Sequence, residues 1–230
     1  MSSLLIRNGT IVTATDQYTG DVLIRDEKIV AIGASLDEPS DRVIDAAGCF
    51  LLPGGIDAHT HMELPFMGTY ASDTFHSGTL AGLHGGTTTI IDFAIQKQGD
   101  SLESAIQEWH RKADGHAVGD YAFHCAVTDF NDETRKEIPA VINEHGINSF
   151  KNFMAYKGAL MIDDRQMYEL MEELVDHGGI MTAHTENGDM VDSNIQKNLE
   201  AGNTEPRYHV LSRPAIWEAE AAGRAIEPVS

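Results

Sequence analysis

Basic residues are scarce in this chain. Sixteen Lys and Arg stand against 36 Asp and Glu, a formal net charge of −20 over 230 residues. The basic residues form no run, so the Lys/Arg stripe that a phosphate backbone requires is missing and nucleic acid is excluded as a partner. The acidic surplus favours solubility but defines no function. Cysteine is scarcer still, with only Cys49 and Cys125, far apart and each in an apolar, strand-like context. Two cysteines do not make a disulfide framework, and both are read as reduced core residues. No window approaches the ~18 uninterrupted apolar residues of a membrane span. The three apolar residues before Arg7 are too few for the apolar region of a secretory signal. A cytoplasmic protein without a membrane partner is the expectation. No low-complexity segment or linker is visible.

The chain falls into two patterns. Residues 1–52 carry short β-rich runs (Leu4-Leu5-Ile6, Thr10-Ile11-Val12, Asp21-Val22-Leu23-Ile24, Lys28-Ile29-Val30-Ala31-Ile32, Arg42-Val43-Ile44-Asp45) separated by Asn8-Gly9, Thr19-Gly20 and Asp26-Glu27. Turn residues between such runs predict an antiparallel hairpin module. From 53 to 230, strands alternate with helices. Strands are expected at about 49–56, 87–93, 121–127, 147–153 and 179–184, and helices at about 73–84, 101–114, 132–145, 164–177 and 212–226. Asp163 suits the start of the fourth helix and Gly178 its end. Strand–helix alternation at about 30 residues per unit indicates parallel βα units. An open doubly wound sheet would usually show G-x-G-x-x-G after its first strand, and none is present. The expected fold is therefore α/β, a TIM-like (β/α)₈ barrel with about five of its eight units in the chain and a sixth strand due to begin near residue 227.

The chemistry concentrates at strand ends. Phe50-Leu51-Leu52-Pro53 leads into Gly54-Gly55-Ile56-Asp57-Ala58-His59-Thr60-His61. Residues i and i+2 of a strand share a face, so His59 and His61 aim two imidazoles at one point. That is a standard beginning for a Zn²⁺-type site. An isolated His-x-His is also compatible with a pair of surface histidines beside a turn; the preceding strand and Asp57 favour the metal reading. Lys151 interrupts an apolar strand, Phe150-Lys151-Asn152-Phe153, where a lysine would ordinarily reach for water. Desolvation and nearby cations would lower its pKa and free an amine able to add CO₂ as a carbamate, an anionic two-oxygen ligand. His184 ends the fifth strand. Active sites of βα barrels lie at the C-terminal ends of the strands, so residues from strands one, four and five can meet.

Four regions carry a resemblance. Residues 55–68, from Gly55-Ile56-Asp57-Ala58-His59-Thr60-His61 through Met62-Glu63-Leu64-Pro65-Phe66-Met67-Gly68, resemble the metal motif of the dihydropyrimidinase/D-hydantoinase family of cyclic amidohydrolases. Ser149-Phe150-Lys151-Asn152-Phe153-Met154-Ala155-Tyr156-Lys157-Gly158 resembles that family's carbamylated-lysine segment. Thr182-Ala183-His184-Thr185-Glu186-Asn187-Gly188 resembles its next metal-ligand strand, and Leu211-Ser212-Arg213-Pro214 with Glu218-Ala219-Glu220-Ala221 also fits.

The resemblance implies that residues 1–52 are the N-terminal part of a β-sandwich domain and that 53–230 are the first part of the barrel. It implies two divalent ions, Zn²⁺ above all. His59 and His61 would bind the first, more buried ion, carbamylated Lys151 would bridge both, and His184 would bind the second. Tyr156 would hydrogen-bond the substrate carbonyl and the oxyanion formed from it. Met62, Leu64, Phe66 and Phe153 would line the gate facing the exocyclic substituent. The implied reaction is hydrolysis of a ring amide in a dihydropyrimidine or hydantoin to an N-carbamoyl amino acid, a step of pyrimidine catabolism, in a homotetramer. Asn152 and Thr185 depart from the family's usual apolar and Ala residues. A further His ligand and a general-base Asp from later strands lie outside residues 1–230. Three alternatives stay open: an allantoinase or dihydroorotase, a metal-free non-catalytic homologue, and an inactive truncated product.

Overall fold

The computed structural model describes residues 2–66 and 68–226. Met67 of the first motif and residues 227–230, the expected start of a sixth strand, lie outside them. The chain divides into two compact units, Met1–Gly55 and Ile56–Ser230.

The first unit holds β1 (Ser3–Val12), β2 (Gln17–Arg25), β3 (Lys28–Gly33), β4 (Arg42–Asp45) and β5 (Phe50–Leu51). The hairpin pattern holds for β1–β2 and β2–β3, which pair antiparallel. The last two strands depart from it: β4 and β5 both lie parallel to β1. The residues between β3 and β4 form a crossover rather than a tight turn. Asn8-Gly9, expected as a turn, is instead a bulge within one continuous β1, with Asn8 at φ 60°. Asn is among the few residues that tolerate that left-handed conformation. Cys49 is exposed, not a core residue; the two-residue β5 is too short to cover it, whereas Cys125 is fully buried.

The second unit continues with β6 (Gly55–Thr60), the small hairpin β7 (Pro65–Phe66) and β8 (Thr69–Tyr70), α1 (Phe75–Gly85), β9 (Thr87–Ile95), α2 (Leu102–Ala113), β10 (Asp120–Ala126), α3 (Asp132–Asn143), β11 (Ser149–Phe153), α4 (Asp164–His177), β12 (Ile180–His184), α5 (Gly188–Glu200), α6 (Arg207–Leu211) and α7 (Ala215–Ile226). The expected strand 49–56 is thus two strands, split at Pro53 and Gly54, and only the second belongs to this unit.

The five-stranded sheet runs β6-β9-β10-β11-β12, with parallel pairing from β9 through β12. Each strand lies beside its predecessor. A doubly wound sheet reverses its strand order at a switch point, and this sheet has none among the described residues; its strand order is that of a half-barrel of the TIM-like kind.

Local chemistry sets the helix ends. Asp163 accepts from the Gln166 amide in a capping box, and Gly178 ends α4 in the left-handed conformation. Helices α5 and α6 add to the five helices that the sequence pattern predicts. Asn187 caps α5. The core lies between sheet and helices, where Ile90, Phe123, Cys125 and Phe150 meet Leu102, Ile106, Trp109, Ile138, Leu170 and Leu174. No described helix is long and apolar enough to cross a membrane.

Candidate metal centre

Strand register decides which side chains share the barrel interior. Partnered residues of adjacent parallel strands face the same way, and alternate residues along a strand do too. Phe93 pairs with His124, Ala126 with Lys151, and Phe153 with His184. One face of the sheet therefore carries Phe93, His124, Lys151, Phe153 and His184. His59 and His61 join it: their rings lie 4.7 and 5.0 Å from the Phe93 ring and 5.2 Å from each other.

His59, His61, Lys151, His184, Leu64, Phe66, Phe153 and Tyr156 line one cavity of about 230 Å³, together with Leu160. Leu160 has no signal in the sequence; it follows a tight loop in which the Tyr156 carbonyl accepts from the amides of Ala159 and Leu160. Met62 is the expected wall residue that the structure does not bring there. It packs against the hydrophobic core instead, with its sulfur where a Cβ on Gly78 would fall. His59 and His61 keep part of their surface open to solvent, and His184 is half-buried.

Lys151 is the anomaly of the site. It is only 7% exposed, in the middle of the buried strand β11, yet among the described residues no carboxylate lies within ion-pairing distance of it. Its nearest aromatic neighbour is Phe153, with Nζ 5.5 Å from the ring centre. Burial lowers its pKa. Burial is also the main reason the His59 and His61 pKa values fall, with Lys151 contributing at both. The direction of these shifts favours the uncharged forms of the imidazoles and the amine, the forms that bind a metal or add CO₂. Among the described residues, no three His, Cys, Asp or Glu side chains gather closely enough to hold an ion without the lysine.

Tyr156 sits at the mouth in a strained left-handed conformation, φ 65°. Its ring meets Phe66 edge-on at 5.4 Å and lies 5.1 Å from the His184 ring. Burial, and then the Glu186 charge, push its pKa up, so the hydroxyl keeps its proton and can donate it. Gly188 lets the neighbouring segments close on one another. A Cβ there would lie 2.6 Å from the Met154 carbonyl oxygen and 3.0 Å from Ala155 Cα, and the Gly188 amide donates to that carbonyl. The end of β12 is thereby held against the residues leading to Tyr156.

Three charged residues around the site are absent from the set that sequence reasoning picks out. Glu186 contacts His184 at 2.8 Å and Arg213 at 3.3 Å. Asp92 is fully buried beneath the His59–His61 segment. An Asp inside a β-rich run gives no sequence signal of its own; Glu186 and Arg213 stand within the resembling segments, and that is the one clue the sequence offers to them.

The model of the amidohydrolase family matches residues 50–210. The D-hydantoinase of Geobacillus stearothermophilus is 51% identical over 223 residues, covering 97% of this chain and 47% of that protein. The dihydropyrimidinase of Rattus norvegicus is 46% identical, covering 97% of this chain and 44% of that protein. The crystal structure of dihydropyrimidinase from Brevibacillus agri NCHU1002 superposes with a TM-score of 0.96 at 50% identity, covering 99% of this chain and 49% of that one. The chain therefore spans about half the length of the relatives it matches. With strand order, interior face and sequence in agreement, the chain belongs to the amidohydrolase family.

Proposed function

We propose that this chain supplies the N-terminal half of a cyclic amidohydrolase that opens the ring amide of a 5,6-dihydropyrimidine or hydantoin to give an N-carbamoyl amino acid. The observation that carries the reading is Lys151: a buried lysine without a counter-ion among the described residues, lining one cavity with three histidines from two other strands. The uncharged amine attacks CO₂, forming an N–C bond and losing a proton, and so becomes an anionic ligand with two oxygens. His59 and His61 on one side and His184 on the other complete a donor set suited to two divalent cations, Zn²⁺ foremost, given imidazole and carboxylate-like donors. When bound, such a pair supplies Lewis acidity and water made acidic enough to attack at neutral pH.

Side chains of this chain supply oxyanion binding and the wall against the substrate. The Tyr156 hydroxyl donates to the substrate carbonyl oxygen and strengthens that bond as negative charge develops there. Leu64, Phe66 and Phe153 form the apolar wall against the ring substituent. The general base and a further imidazole come from outside these residues, and the complete protein is read as a cytoplasmic homotetramer whose N-terminal strands form part of a β-sandwich.

The test is Lys151→Ala in the complete protein. Activity is expected to vanish, and short carboxylic acids, which replace the carbamate, are expected to restore part of it. Near-normal turnover by the variant would refute the bridging role. A substrate panel separates the rival chemistry: turnover of allantoin or dihydroorotate, with none of dihydrouracil or hydantoin, would overturn the assignment. Metal content well below one ion per chain in CO₂-supplied protein would favour the non-catalytic reading.

A further inference from the structure

Asp92 lies on the opposite face of β9 from Phe93, between the sheet and α2. It is completely buried, and both of its carboxylate oxygens are engaged. Oδ2 accepts from the Thr60 hydroxyl at 2.9 Å and from the Met62 amide at 2.7 Å. Oδ1 accepts from Trp109 Nε1 at 2.8 Å and from the Phe93 amide at 2.8 Å. The two oxygens serve different ends. One grips the residues on either side of His61; the other is anchored in α2 and in β9 itself.

Strand alternation explains the division. His59 and His61 face the interior, so Thr60 between them points outward, toward the helices, where Asp92 waits. The next residue of β9, Phe93, points inward, and its ring supports both imidazoles, at 4.7 and 5.0 Å. The end of β9 thus holds the His-x-His segment from both faces at once: a carboxylate from outside and an aromatic ring from inside.

We infer that Asp92 is a positioning residue for the metal centre, which fixes the backbone on both sides of His61 so that the two imidazoles converge. The inference rests on the metal-centre reading above. A buried carboxylate serving only to satisfy Trp109 would need just Oδ1. The pair of bonds from Oδ2 to the ligand-bearing segment is what a purely structural role does not require.

The test measures Zn²⁺ affinity, by competition with a chromophoric chelator, for metal-stripped complete protein in CO₂-supplied buffer, alongside thermal melts. Asp92→Ala is expected to weaken one of the two ions by about 10–100-fold, the usual consequence of losing an outer-shell partner. Thr60→Val removes one Oδ2 donor at nearly constant shape and is expected to give a smaller loss at the same ion. Trp109→Phe removes an Oδ1 donor and is expected to lower the melting temperature while leaving Zn²⁺ affinity unchanged. If Asp92→Ala does not fold, the contrast between Thr60→Val and Trp109→Phe decides. Wild-type affinity in Thr60→Val, or equal losses in Thr60→Val and Trp109→Phe, overturns the inference. A wild-type protein that takes up no divalent ion overturns the metal-centre reading, and the inference with it.

Discussion

His184 Nε2 lies 2.8 Å from Glu186 Oε2. A carboxylate only accepts, so Nε2 is the donor in this contact, and in the neutral tautomer the lone pair is on Nδ1. Arg213 Nε, 3.3 Å from the other oxygen of Glu186, holds that carboxylate in place. The arrangement is a carboxylate–histidine pair of the sort that fixes tautomer and ring direction at metal sites. Glu186→Gln should weaken the ion held at His184 by about 10–100-fold while sparing the other. Metal stoichiometry against increasing chelator would read this as two ions falling to one. Retention of both ions at wild-type strength would remove Glu186 from the site.

The contrast between His184 and Glu186 shows how far the sequence can be read. The His59–His61 pair at a strand end and a lysine inside an apolar strand are out of place locally and mark candidates, whereas the ligand roles of Lys151 and His184 are legible only with the family resemblance. The residues that support them carry no such mark. Asp92 meets Trp109, 17 positions away on a helix, and Thr60, 32 positions away on another strand. Neither pairing has a local signature. The fold shows the same limit. Helix α4 is legible from residue 164 to 177 because both ends are capped by its own neighbours. The parallel pairing of β4 and β5 with β1 depends on contacts across more than 30 residues, which alternation of apolar and turn residues does not encode.

Asn152 follows Lys151 on β11 and points to the opposite face. It is fully buried, and neither amide atom has a hydrogen-bond partner among the described residues. An unsatisfied buried polar group costs about 1–3 kcal/mol. Valine suits a buried strand better and has no such group to leave unpaired. Asn152→Val is therefore expected to stabilise the protein by about 1 kcal/mol, a rise of about 2–4 °C in melting temperature. A fall in melting temperature would mean that the amide is satisfied in the complete protein.

Acid should loosen the first unit. Asp21 accepts from the backbone amides of Leu36 and Asn8, and these bonds, Leu36 first, hold its pKa below the ordinary value near 3.8. Asp41, chiefly through the Ser3 hydroxyl, and Asp45, chiefly through the Asn8 side chain, are lowered likewise. A carboxyl whose folded pKa is depressed contributes stability that is fully present above its unfolded pKa and is lost as pH falls through the folded value. Hydrogen exchange of β1 and β2 amides should accordingly be flat from neutral pH to about 5, after correction for intrinsic rates, and should accelerate below about 4. Asp21→Asn should be less protected at pH 7 and should show a shallower acid dependence. An unchanged acid profile in the variant would place the sensitivity elsewhere.

Expressed alone, the 230-residue chain should self-associate and lack hydrolase activity. β6 and β12 are the outer strands of the barrel sheet, and outer strands present unpaired amides and carbonyls that template further pairing. Apolar side chains accompany them: Ile180 at the start of β12 is 60% exposed and Val175 on α4 is 74% exposed. The net charge of −20 opposes association. Its reach is the deciding quantity. At physiological ionic strength repulsion is screened beyond about 8 Å, whereas strands pair at about 4.8 Å and apolar surfaces act at contact. Short-range attraction should therefore win as salt rises, so light scattering on a sizing column should show larger species at 0.15 M salt than at about 0.01 M, where screening extends to about 30 Å. A single 25.1 kDa species at both concentrations, turning over dihydrouracil or hydantoin, would show that these edges are already protected and that the donors present suffice.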